Sequence, residues 1–185
     1  KVMLPRLPNS PVSDWCRVMA PHAGKEYGFY QMPHVGDEVL VAFERGEPNR
    51  GYVLGSVWNG KDKPPPKAYH DKNYTFFFRT KGGHEVSLYD EPGKTKICIM
   101  DKTLKRHISF DEEKKKITIQ DDNADGTIEI FAKKKIHMKC EEFELKTDKN
   151  GKIDIGKQLD IKSGQNTNIK AGPQVNVKAG KINLN

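Results

Sequence analysis

The first third of the chain alternates between apolar and polar residues in short runs separated by turn signals. Such alternation is typical of half-buried β-strands, and the Gly, Pro and Asn residues between the runs are typical of turns. The five runs lie at residues 2–7, 15–19, 29–32, 38–44 and 51–58. Five short antiparallel strands without a helical period predict a small Greek-key barrel of the OB type at residues 1–60. The expected core residues of this barrel are Trp15, Phe29, Tyr30, Val39, Val41, Phe43 and Leu54.

A proline-rich segment follows the predicted barrel. Pro64, Pro65 and Pro66 stand in succession between lysines. Proline has no backbone N–H, so this stretch cannot form a ladder and is expected to be stiff. Residues 61–78 are therefore predicted to be a linker and a domain boundary.

From residue 79 onward the pattern changes to very short strands of the form apolar-x-apolar. These triplets are 86–88, 97–99, 108–110, 117–119, 128–130, 136–138, 143–145, 153–155, 175–177 and 182–184. From residue 153 the chain divides into four octads, IDIGKQLD, IKSGQNTN, IKAGPQVN and VKAGKINL, which span 153–184. Their first positions are Ile153, Ile161, Ile169 and Val177, and their fourth positions are Gly156, Gly164, Gly172 and Gly180. Glycines recurring in phase indicate a structural repeat.

An octad is too short to close one coil of a solenoid. Eight residues at about 3.3 Å each reach roughly 26 Å, which is one face of a triangular coil and one corner. Two faces are then left for other chains, with the apolar stripe inside and the glycines at the corners. Three intertwined copies would bury the stripe and leave no free sheet edge. The sequence therefore predicts a homotrimeric, triple-stranded β-helix, or needle, at residues 79–185.

Composition and charge exclude several classes of function. The chain has 185 residues, with 32 Lys+Arg against 25 Asp+Glu and a formal charge of +7. Both signs are mixed in both halves, as on a solvated surface, which disfavours a nucleic-acid partner. No apolar run is long enough to cross a membrane. Three widely spaced cysteines, Cys16, Cys98 and Cys140, indicate neither a disulfide framework nor a zinc site.

Candidate chemical motifs are weak. Pro92-Gly93-Lys94-Thr95 resembles the end of a phosphate-binding loop, but Leu88 stands where that motif needs a glycine, so a β-turn is expected. His84 and Glu85 lack a second histidine at metal-binding spacing. The lysine triplets 114–116 and 133–135 are expected at solvated turns. The sequence thus predicts no catalytic residue, no cofactor and no metal.

Three segments resemble the VgrG-type spike proteins of type VI secretion and related contractile injection systems, including phage tail spikes. They are DWCRVMAPHAGKEYGFYQMPHVGDEVLVAF (14–43), GYVLGSVWNGKDKPPP (51–66) and RTKGGHEVSLYDEPGKTKICI (79–99). The first resembles the OB-fold segment of that family, the second its exit linker and the third its entry into the needle. The resemblance implies an OB-fold and needle fragment of a homotrimeric spike.

The resemblance also implies a function and partners. It implies a non-enzymatic, membrane-puncturing spike that contacts tube or baseplate proteins at its N-terminal side and carries a PAAR-type tip protein or an effector at the needle end. Contact with the target cell envelope would be transient. The expected location is the bacterial cytoplasm during assembly, and later a secreted or extracellular particle. Two alternatives remain open: a carbohydrate-binding or polysaccharide-degrading β-helix, and an OB-fold nucleic-acid binder.

Overall fold

The computed structural model describes residues 1–182, and its regular structure there is β apart from two 3-10 helices, Glu44–Gly46 and Pro66–Ala68. The predicted all-β class is confirmed. The chain divides into two compact units, residues 1–130 and residues 131 onward. The first unit includes the predicted barrel, the proline-rich linker and the beginning of the predicted needle. The division between the units lies at Ile130 rather than at the prolines.

The N-terminal part of the first unit contains a three-stranded sheet and a short hairpin. The strands are β1 (Arg17–Val18), β2 (Ala23–Gly24), β3 (Tyr27–Gly28), β4 (Val39–Phe43) and β5 (Gly51–Ser56). The sheet order is β1-β5-β4, and β2 pairs with β3. Strand β1 runs parallel to β5, so the prediction of purely antiparallel pairing is wrong at this pair.

Two of the five predicted strands differ from the structure. The first run contributes a single antiparallel bridge between Met3 and Val12. The third run, 29–32, lies outside any strand, because the chain turns earlier through Glu26, whose φ of 65° closes the β2–β3 hairpin.

The predicted barrel core is wrong at four residues. Trp15, Phe29, Tyr30 and Leu54 are exposed, whereas Val39, Val41 and Phe43 are half-buried as predicted. Leu54 faces outward because a bulge between Leu40 and Val41 shifts the register and pairs Val41 with Val53. Paired residues share a face of a sheet, so Val53 takes the buried position, at 5% exposure.

The remainder of the first unit is a five-stranded antiparallel meander, which we call the meander sheet. Its strands are β6 (Thr75–Arg79), β7 (Glu85–Tyr89), β8 (Lys96–Met100), β9 (Arg106–Asp111) and β10 (Lys116–Asp121), in the order β10-β9-β8-β7-β6. The first four predicted apolar-x-apolar triplets lie within β7, β8, β9 and β10, so these strand predictions are confirmed.

The second unit is extended in the described residues 131–182 and contains no regular strand there. The predicted triplets at 136–138, 143–145, 153–155 and 175–177 lie in it without strand partners from their own chain. Residues 183 and 184, which end the last triplet and the fourth octad, lie outside the described residues.

Candidate assembly surfaces

One face of the meander sheet is apolar and uncovered in the single chain. Strand pairing aligns its side chains in two rows that each cross all five strands. We call these ten residues the apolar face. The first row is Phe76, Leu88, Ile97, Phe110 and Ile117, and the second is Phe78, Val86, Ile99, Ile108 and Ile119. Each of the ten is between 38% and 67% exposed, so, apart from a contact between Phe29 and Phe78, the face is uncovered within its own chain.

The opposite face, which we call the polar face, carries small and polar side chains. Ser87, Cys98 and Ser109 are neighbours across β7, β8 and β9 and are all buried. Glu85 lies on the same face and is 4% exposed. In β7, β8 and β9, the middle residue of each triplet is therefore buried within the single chain, whereas the sequence pattern predicted that the apolar residues on either side of it would be inside.

A groove of about 560 Å³ lies along the second row of the apolar face. The row forms its floor, and Ile128 adds a further apolar wall. Asp101, Arg106 and Asp121 stand at its rim, where Arg106 Nε lies 3.6 Å from Asp101 Oδ2 and 3.9 Å from Asp121 Oδ2. An apolar floor of this kind suits an apolar protein segment rather than a charged small molecule.

Aspartates at the turns of the meander sheet accept local hydrogen bonds that favour their charged form. The hydroxyl of Thr103 donates to Asp101 at 2.7 Å and lowers the pKa of Asp101. The backbone N–H of Lys114 donates to Asp111 at 2.9 Å and lowers the pKa of Asp111. The backbone N–H of Asn123 has the same effect on the pKa of Asp121. These carboxylates hold the turns and are not poised for acid–base chemistry.

The second unit bends at regular intervals. Bends begin at residues 133, 141, 148, 156, 164, 172 and 180. The last four are the predicted corner glycines, Gly156, Gly164, Gly172 and Gly180. An eight-residue period with one seven-residue step therefore extends upstream of the four octads that the sequence pattern revealed.

An apolar residue lies three positions before each bend. These seven residues, which we call the stripe, are Ile130, Met138, Leu145, Ile153, Ile161, Ile169 and Val177. Their exposed fractions fall in a narrow range, from 66% to 75%. Their common spacing places the predicted members Ile153, Ile161, Ile169 and Val177 in a longer series of exposed apolar residues.

The corner glycines do not have the backbone conformation expected for them. None of the four has a left-handed φ, and a Cβ at each would meet open space in the single chain. The single chain therefore shows no requirement for glycine at these corners, and their corner role remains a proposal.

The weak chemical motifs fall at turns or apart from one another. Gly93 has a φ of 78° in the β7–β8 turn, which confirms a β-turn at 92–95. The triplet 114–116 begins in the β9–β10 turn, where Lys115 has a φ of 49°. Across residues 1–182, no three His, Cys, Asp or Glu side chains are grouped so as to hold a metal ion. No helix within the same range has the length and apolar character to cross a membrane.

Part of the chain is similar to known proteins. Residues 1–58 match the model of the type VI secretion system/phage-baseplate injector OB domain. The chain is 32% identical over 95 residues to the actin cross-linking toxin VgrG1 of Vibrio cholerae, which is 49% of this chain and 9% of that protein. It is 33% identical over 98 residues to the type VI secretion system spike protein VgrG1c of Pseudomonas aeruginosa, which is 49% of this chain and 14% of that protein.

A third relative is the type VI secretion system spike protein VgrG3 of Vibrio cholerae. It is 31% identical over 96 residues, which is 49% of this chain and 9% of that protein. The chain thus spans less than a sixth of the length of each of these relatives. Residues 1–58 thus match the injector OB domain, and about half of the chain is similar to VgrG-type spike proteins.

Proposed function

We propose that the chain forms the collar and shaft of a structural, membrane-puncturing spike at the tip of a contractile injection machine. Three copies would assemble around one axis and deliver a tip protein or cargo without any enzymatic step of their own. The relatives named as type VI secretion system spike proteins support the coarse role. The observation that carries the trimer is the unpaired backbone of the second unit.

Within residues 127–182, no backbone N–H donates to a backbone carbonyl. Extended segments with unpaired N–H and C=O groups act as templates for pairing with other chains. The stripe is also exposed along this whole length. Two further copies would pair the free backbone groups and cover the exposed stripe at the same time. Their strands would accept the hydrogen bonds, and the stripes of the three copies would bury one another.

The apolar face supports the same arrangement for the first unit. Ten large apolar side chains on one face of a five-stranded sheet form a larger patch than monomers usually expose. A closed symmetric assembly buries such a face with the same face of its neighbours. The apolar faces of three meander sheets would then form the interior of the shaft near the OB domain.

Mechanical function would follow from this pairing. Hydrogen bonds between chains and a dry interior resist bending, and tight packing transmits strain along the axis. We propose that tube or baseplate proteins contact the N-terminal side and that a PAAR-type tip protein or an effector binds the needle end. Contact with the target envelope would be transient, and no nucleic acid would take part. Assembly would occur in the bacterial cytoplasm, before secretion or incorporation into an extracellular particle.

Sedimentation equilibrium of the 185-residue chain tests the proposal. The expected species has three times the chain mass of 21.0 kDa at micromolar concentration. Hydrogen exchange on the same sample should show slow exchange for amides in 131–182, because these amides would be bonded between copies. A folded monomer of 21.0 kDa, with fast exchange throughout 131–182, would overturn the spike proposal.

A further inference from the structure

The polar face of the meander sheet contains a buried carboxylate with two cations beside it. The Glu85 side chain is 2% exposed, and its Oε1 accepts a hydrogen bond from Lys67 Nζ at 2.5 Å. Arg79 Nη1, on the edge strand β6, lies 4.0 Å from Glu85 Oε2. An ionised carboxylate is stable at such a site only when cations and donors compensate its lost hydration. Lys67 comes from the proline-rich segment and not from the sheet.

The ammonium group of Lys67 also interacts with two aromatic residues besides Glu85. Nζ donates to Tyr89 Oη at 3.1 Å, and it lies 5.9 Å from the ring centroid of Phe77 and 5.7 Å from that of Tyr89. Both distances are within the range of cation–π attraction. Burial disfavours the charge on Lys67, but the hydrogen bonds to Glu85 and Tyr89 outweigh it and raise the pKa of Lys67. Lys67 is therefore bound in a site made by β6 and β7.

Residues 61–69 of the proline-rich segment make no other hydrogen bond to the meander sheet in the part of the chain that the structure describes. Its backbone hydrogen bonds are local: Asn59 with Asp62, Ala68 with Pro65, and Asn73 with His70. Proline supplies no N–H at residues 64–66. Among residues 61–69, the hydrogen bonds to the sheet all come from the side chain of Lys67, which donates to Glu85 and Tyr89.

Strand β6 is also contacted from its other face by the injector OB domain. The ring of Phe29 meets the ring of Phe78 edge to face, with centroids 6.2 Å apart. Phe77 and Phe78 are adjacent in β6 and point to opposite faces. The edge strand is thus held between Phe29 on the apolar face and Lys67 on the polar face.

We propose that residues 61–69 form a strap, and that Lys67 is a positioning residue that latches this strap to Glu85 and so fixes the injector OB domain against the meander sheet. The latch keeps the connection from acting as a free linker. Under the proposed function, it would let an axial load pass from the OB domain into the shaft without a flexible joint. The latch itself does not depend on that function, because every contact in it lies within one chain.

Hydrogen exchange of the full chain, with Lys67→Met, Lys67→Arg and Glu85→Gln, tests the latch. Lys67→Met keeps most of the apolar stem but leaves Glu85 without its closest cation. We expect exchange of the strap and β6 amides to rise by roughly tenfold or more, since unpaired buried charges are costly. Amides of β4 and β5 should exchange as in the parent chain. Lys67→Arg retains a cation and should restore part of the protection.

An exposed ion pair on the same sheet gives the matched control. Lys94 Nζ lies 2.8 Å from Glu91 Oε1, and their side chains are 71% and 41% exposed. Lys94→Met should change exchange by no more than about twofold, as expected for a solvated pair. Equal effects at Lys67 and Lys94, or unchanged strap exchange in Lys67→Met, would overturn the latch.

Three further outcomes are informative. Equal exchange in Lys67→Met and Lys67→Arg would also contradict the latch, because it would show that only the stem matters. If Glu85→Gln does not fold, the two Lys67 variants still decide the question, because the Lys67 side chain is 38% exposed. A chain that sediments as a monomer but shows the Lys67 effect would refute the proposed spike and leave the latch intact.

Discussion

Replacing Ile99 by Asp should separate folding of the single chain from assembly. Ile99 lies at the centre of the apolar face, in the third of the five strands, and is 48% exposed in the single chain. The substitution therefore costs a lone chain little, roughly 1 kcal/mol through lost strand propensity and partial burial. In an assembled trimer, the same substitution would cost much more free energy.

The cost to a trimer has two parts. Full burial of an isoleucine side chain is worth about 1.5–3 kcal/mol, so covering the open half would contribute about 1 kcal/mol per copy. A buried aspartate near the axis must also be protonated, and raising its pKa from about 3.9 to about 7 costs roughly 4 kcal/mol per copy. Together these give on the order of 15 kcal/mol for three copies. Such a loss would abolish assembly at micromolar concentration.

Sedimentation velocity and circular dichroism of Ile99→Asp measure the two effects. We expect a monomeric chain that retains the β-sheet signal of its first unit. Lys81→Asp, in the exposed β6–β7 turn, introduces the same carboxylate and should leave both measurements unchanged. A variant Ile99→Asp that sediments like the parent assembly would refute the reasoning, because the apolar face would then not be the surface between copies.

Three other predictions concern the second unit, the glycines and the acid response. Ile161→Asp should weaken assembly through the stripe, whereas Lys162→Asp beside it should be silent by native mass spectrometry; equal behaviour would mean that the strand phase is wrong. Gly93→Val should lower the stability of the first unit by about 1–2 kcal/mol because of its left-handed φ of 78°. Gly172→Val should lower only the melting temperature of the assembly, and a loss seen also in dilute monomer would contradict this. Because the pKa of Asp111 is lowered, its ionised carboxylate contributes to the free energy of unfolding above about pH 4, and this contribution is lost as the pH falls below that value. Asp111→Asn should therefore weaken the pH dependence of the urea midpoint between about pH 5 and pH 3.

The strands of the meander sheet were predictable because their signal is local. A period of two and turn residues at fixed intervals specify β7 to β10 without knowledge of the rest of the fold. The face that each strand buries was not predictable in the same way. Ser87, Cys98 and Ser109 are buried on the face that also carries Glu85, and alternation alone does not show which of the two faces is buried.

Other features depend on contacts that sequence spacing hides. The outward position of Leu54 follows from one bulge in β5, where Leu54 is the extra residue without a partner in β4, and the apolar pattern of β5 does not reveal this bulge. Lys67 and Glu85 are 18 residues apart, and no motif joins them. The upstream bends at 133, 141 and 148 were accessible in principle, because Ile130, Met138 and Leu145 continue the stripe once a single seven-residue step is allowed.

The distribution of burial in the single chain links folding to assembly. Among the described residues, Val53 and Cys98 are the only apolar residues with buried side chains. The side chains of the apolar face and of the stripe are exposed to solvent in the single chain. In the proposed trimer, a chain with so little apolar burial of its own would gain most of its hydrophobic stabilisation when the copies meet. Its stability should therefore rise with protein concentration, as it does for obligate oligomers. The latch is compatible with this arrangement, because Lys67 and Glu85 compensate each other within one chain and leave the opposite, apolar face free for the neighbouring copies.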